Sequence, residues 1–200
     1  MQHWFTSQVR RHAATVAHLL RTASLWAMLL PAVGALLIAT LNLRPEIAPY
    51  LTKESAEIAS PIILGLGSLL AVWIAASRPH PYYKWQALFV IACFLRELHF
   101  QGTNSGFYIA LVVLLWWLSH ARERLSAFLN DRRIVTLLVA VLWTYFISKT
   151  FDRHLWDNAM GGSLTRDLFE ENLEILGHLL LVGLVVASTS VTSRTAPRPA

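Results

Sequence analysis

Long apolar stretches separated by short polar ones occupy most of this chain. Six stand out, over residues 25–43, 58–77, 85–100, 105–119, 134–148 and 168–188. Several approach the roughly 20 residues that carry a helix across about 30 Å of hydrocarbon. Others are nearer 15, a length that local thinning of the bilayer accommodates. None alternates apolar and polar residues over ten positions as a membrane barrel would. Backbone N–H and C=O groups cannot stay unpaired in lipid, so the pattern predicts helices. The expected fold is all-α, a polytopic integral membrane bundle of about six transmembrane helices over 25–188. Pro61 reads as a first-turn proline, where its missing N–H costs nothing.

Residues 1–24 form a different kind of segment. Trp4, Phe5, Val9, Val16, Leu19 and Leu20 recur at near-helical spacing with arginines between them, as in an amphipathic helix lying on the cytoplasmic leaflet. A cleaved signal peptide is not expected, because the charged stretch before the apolar run is long and no small-x-small site follows. Residues 189–200, rich in Ser, Thr and Pro, read as a disordered tail.

Composition agrees with a membrane bundle. Apolar residues make up 55% and charged residues 14%, against about 25% charged in globular domains. A net charge of +5 suggests nucleic-acid binding until the basic residues are placed. With the N-terminus inside, eleven fall in cytoplasmic segments (Arg10, Arg11, Arg21, Arg78, Lys84, Arg122, Arg124, Arg132, Arg133, Arg194, Arg198), against six on the other side. That is the positive-inside bias, with both termini cytoplasmic and an even number of crossings. The charge therefore reports orientation, as in a bacterial inner-membrane protein, and no nucleic-acid partner is implied. The single Cys93 offers neither a disulfide nor a thiolate metal site.

Charged residues inside membrane segments are costly and point to a site. The third segment ends with Arg96, Glu97 and His99. Arg96 lies only about 18 Å along the helix from Lys84, which places it below the outer surface. The sixth begins with Asp167, Glu170, Glu171, Glu174 and His178. Asp167 and Glu170 fit an N-cap with its capping-box partner, and the first-turn acids suit the helix dipole. Glu174 and His178, about 10 and 16 Å further in, are not explained this way. Glu171, Glu174 and His178 share one face. In an alternating bundle both stretches meet at the outer end, where the loop between the fifth and sixth segments supplies Lys149, Asp152, Arg153, His154 and Asp157.

Three functions suit such a cluster. The first is a membrane-embedded hydrolase or transferase acting on a lipid or lipid-linked substrate, with Glu97, Glu174 and Arg96 as catalytic candidates. In it His99, Glu171, Glu174 and His178 are candidate ligands of a divalent metal such as zinc or iron, or one carboxylate is the general base while a cation holds phosphate. The second is a proton- or metal-coupled transporter, although the inner half shows no matching polar path. The third is a non-catalytic subunit, or a homo-oligomer, in which the ions pair structurally and Gly65, Gly67, Ala71 and Ala75 allow close helix contact. Haem between His99 and His178 is disfavoured by their different depths. No H-E-x-x-H, di-iron Glu-x-x-His or Gly-x-Ser-x-Gly pattern selects among them.

Overall fold

The computed structural model describes residues 2–98, 103–153, 155–156 and 163–191. All regular structure in them is helical: α1 (Gln2–Thr22), α2 (Trp26–Asn42), α3 (Lys53–Ser77), α4 (Pro81–Glu97), α5 (Thr103–His120), the single turn α6 (Ser126–Leu129), α7 (Arg132–Asp152) and α8 (Ser163–Ser188). Local sequence sets several of the starts. The Thr52 hydroxyl accepts from Ser55 N at 3.3 Å to cap α3. His80 Nδ1 accepts from Tyr82 N at 3.2 Å ahead of Pro81 in α4. Asp131 Oδ1 accepts from Arg133 N and Ile134 N at the head of α7. Each cap satisfies amides that a first helical turn leaves unpaired.

α8 is central, packed against α7, α3 and α2, while α4 bridges α3 and α5. From α2 onward, successive long helices run in opposite directions. At one end Asn172 of α8 donates to Leu51 O ahead of α3, and Lys149 late in α7 faces Glu170 early in α8. At the other end Arg78, after α3, donates to Thr189 O at 2.6 Å, and Tyr83 early in α4 donates to Ser188 O at 3.2 Å.

α3 shows how the bundle is turned inside out relative to a soluble one. Ile58, Ile62, Leu66, Leu69 and Trp73 form an exposed stripe at helical spacing. The opposite face buries Ala56, Ser60, Gly67 and Ala71, where a Cβ on Gly67 would come within 2.8 Å of Val182 Cγ2. Large apolar residues outward, with small ones beside Leu64 and Ile74 on the inward face, is the arrangement of helices that face lipid and touch one another closely.

Among the described residues three helices, α3, α7 and α8, are long and apolar enough to cross a membrane, and the α1–α2 pair, bent by 69°, makes a fourth if the pair is one broken span. α2 and α4 have 17 residues each, about 25 Å at 1.5 Å per residue, and fall short of that measure. α1 does not lie free on a surface. Thr15 and Leu19 are buried, His12 pairs with Ser119, and His18 Nε2 donates to Leu129 O, while Val9, Val16 and Leu20 stay exposed.

Several local expectations change. Pro61 is interior to α3, because the cap at Thr52 starts the helix two turns earlier. Asp167 is not an N-cap, because α8 begins at Ser163. Lys149 belongs to the last turn of α7, not to a loop. The far end of the bundle is also not uniformly apolar: Ser188 Oγ donates to Gln86 Oε1 at 3.0 Å in a buried contact. Residues 192–200, read as a disordered tail, lie outside the described residues, as do His154 and Asp157.

Candidate functional site

The cluster forms where the end of α4, the end of α7 and the start of α8 meet. Helical spacing puts Glu170, Glu174 and His178 on one face of α8, and that face is turned inward, with side-chain exposures of 15% for Glu170, 7% for Glu174 and 1% for His178. Arg96 Nη2 pairs directly with Glu174 Oε1. It also lies 3.8 Å from Glu97 Oε1, with its guanidinium 5.5 Å from the Phe107 ring centroid. Lys149 Nζ is 3.8 Å from Glu174 Oε2 and 3.5 Å from Glu170 Oε1. Glu174 is thus held between two cations, one on each neighbouring helix. Buried charges persist only with such partners.

Deeper in, His178 Nδ1 is hydrogen-bonded to the Tyr145 hydroxyl at 3.0 Å. Its Nε2 makes no hydrogen bond among the described residues and faces Glu97 Oε2 at 3.7 Å. With Nδ1 as the acceptor tautomer, Tyr145 donates to it and the proton is left on Nε2, the nitrogen nearer the Glu97 carboxylate. Hydroxyl, imidazole and carboxylate then stand in the order that lets one group move a proton while the next orients it. Gly177 makes room for this. A Cβ there would come within 2.7 Å of Tyr145 Cε1 and 2.9 Å of Cδ1. Gly177→Ala is expected to displace the Tyr145 ring and cost about 1–3 kcal/mol by overpacking. A titration of the purified variant with denaturing detergent would read this as an earlier midpoint, and an unshifted midpoint would show that α7 moves away freely.

The catalytic candidates Arg96, Glu97 and Glu174 therefore come together. Of the metal candidates, Glu174 and His178 point to different partners, and Glu171 faces Lys53 Nζ at the start of α3, 4.0 Å away. His99 lies outside the described residues. Among the described residues no group of three or more His, Cys, Asp or Glu side chains is arranged to hold a metal.

Tyr145 and Asn172 were missed by the sequence reading. An aromatic in the middle of an apolar segment carries no signal of its own. The trace that was available is spacing, because Tyr145 precedes Lys149 by four residues and so shares its face of α7. Asn172, sitting among the α8 acids, fixes the start of that helix by donating to Leu51 O and Leu168 O.

Beside the cluster is a cavity of about 290 Å³ whose wall includes Arg96, Lys149, Tyr145 and Tyr108. None of the carboxylates lines it. They pair with the two cations from outside the wall, so the ionised groups on the wall are both cations, set with the two tyrosines among aromatic and aliphatic side chains. In comparisons with protein-family models, curated proteins and solved structures, nothing matches this chain.

Proposed function

We propose that this chain is a six-span protein of a bacterial inner membrane, with both ends in the cytoplasm, carrying out acid–base chemistry on an anionic lipid or lipid-linked substrate. The alternating direction of α2, α3, α4, α5, α7 and α8 supports the crossings, and the basic residues support the orientation. A periplasmic reporter fused after Gly161 is expected to be active, and one fused after Asn130 silent; the reverse pattern would invert the topology.

The observation that carries the chemistry is Tyr145. It shares a cavity wall with Arg96 and Lys149 and links that cavity to the buried His178–Glu97 pair. Arg96 and Lys149 place the anionic group by charge-assisted hydrogen bonds. Tyr145 takes a proton from the attacking water or alcohol while passing its own to His178 Nδ1. Return of that proton through Tyr145 supplies the leaving oxygen, and Glu97 orients the imidazole that carries it. The product is a hydrolysed or transferred headgroup.

A second reading, a non-catalytic subunit, is favoured by the way the cluster's ions satisfy one another, as in the Arg96–Glu174, Lys149–Glu170 and Lys53–Glu171 contacts. Purified protein incubated with a total lipid extract of bacterial membranes separates the two. The enzymatic reading expects at least one anionic lipid species to be consumed, as followed by mass spectrometry. An extract left unchanged, with stable co-purifying membrane proteins, supports the subunit.

A further inference from the structure

A second cavity, of about 460 Å³, is lined almost wholly by apolar side chains from α1, α2, α4, α5 and α7. It shares Phe89, Leu111, Leu142 and Phe146 with the wall of the cavity beside Arg96 and Lys149. The two adjoin end to end. Together they make one slot that is cationic at the site end and apolar toward the far end. The slot follows α7 from Lys149 to Leu138, about 16 Å of helix, and Leu19 and Met28 line its apolar part. About 16 Å is half the roughly 30 Å hydrocarbon thickness, the depth that one lipid tail occupies in one leaflet. Leu142 and Phe146, 41% and 58% exposed, lie along its edge, so a tail can enter sideways from the surrounding lipid without passing the charged end.

We propose that this slot holds one acyl tail of an anionic phospholipid, tail between α4, α5 and α7, phosphate against Arg96 and Lys149. Charge complementarity selects the occupant. Both ionised side chains on the wall are cations, and their carboxylate partners lie outside it. A neutral hydrocarbon would fill the deep part and leave the cationic mouth unmatched. A zwitterionic lipid would bring its own cation toward Arg96 and Lys149. The inference rests on the substrate reading above and names its substrate class, but binding can be measured without turnover.

The experiment uses the full-length protein in mild detergent, exposed to phosphatidylglycerol or to phosphatidylcholine with identical tails. Retained lipid is counted by native mass spectrometry. The expected result is about one retained phosphatidylglycerol per chain, with phosphatidylcholine retained at least tenfold less. Leu142→Trp, which fills the slot from its exposed edge, is expected to remove retention of both. Lys149→Gln is expected to lower the preference for phosphatidylglycerol while leaving the tail bound. Leu111→Trp, from the opposite wall, provides a second blocked slot should Leu142→Trp fail to fold. Equal retention of the two lipids, or retention unaffected in a folded slot-filled variant, would overturn the inference. Normal retention with no lipid turnover by the unaltered protein would sink the enzymatic reading and leave the slot standing.

Discussion

Arg96→Met is expected to be the most destabilising single substitution at the site, by about 3–5 kcal/mol, the cost of leaving a buried charge without its partner. Arg96 and Glu174 have side-chain exposures of 15% and 7%, and Glu97 has 9%. Removing the guanidinium strands two carboxylates in a largely apolar surrounding with one cation, Lys149, left to share between Glu174 and Glu170. Part of the loss should therefore return when Glu174 is also removed, since Glu97 still lacks the guanidinium. In Arg96→Met with Glu174→Leu, the freed space is filled by apolar groups, and Lys149 keeps Glu170. Buried ion pairs replaced in this way are often neutral or stabilising. Unfolding midpoints in a denaturing-detergent titration give the four corners of the cycle. A single variant as stable as the unaltered protein, or a double variant no better than Arg96→Met, would mean that water reaches the cluster and that its charges are not held by each other.

Tyr145→Phe is expected to lower the rate of lipid turnover by about 10²–10⁴-fold, the usual contribution of a positioned proton-transfer group, with the fold intact. The substitution removes one oxygen and keeps the ring that packs against Gly177. The cavity keeps its shape, and the Arg96 and Lys149 contacts are untouched. His178→Ala should give a loss of the same order, because Tyr145 then has no acceptor at 3.0 Å. The two losses should not add, since both interrupt one path. Initial rates on the lipid species consumed in the extract experiment provide the measurement. Full activity in a folded Tyr145→Phe variant would remove Tyr145 from the mechanism, and additive losses would separate the two residues into different steps.

Arg96, Glu97, Glu174 and His178 are legible in the chain because charge within an apolar segment violates the pattern around it. Tyr145 is not, because an aromatic residue satisfies that pattern. Lys149 stood out but was assigned to a loop, since apolar periodicity fades at Ser148 while the helix continues to Asp152 on backbone hydrogen bonds that hydropathy does not see. The capping assignment at Asp167 failed for a related reason. Asp, Glu and Asn early in a helix look alike whether the helix begins there or, as in α8, one turn earlier at Ser163. Pro61 looked like a helix start because proline favours first turns, yet the Thr52 cap lies upstream and overrides it.

What the sequence determined by itself is the all-helical, membrane-facing character of the chain and the end of the bundle at which its charge collects. Both follow from one-dimensional physics, the cost of placing backbone or charge in hydrocarbon, which depends on residue type and spacing alone. The tertiary structure decided which charges partner which. It set Glu174 between Arg96 and Lys149, joined His178 to a tyrosine thirty-three positions away, and put the cations on a cavity wall with their carboxylate partners outside it. These facts depend on which faces of α4, α7 and α8 pack together. That is settled by small residues such as Gly67 and Gly177 at the contacts, where the fit of a single side chain chooses among packings that hydropathy leaves equal.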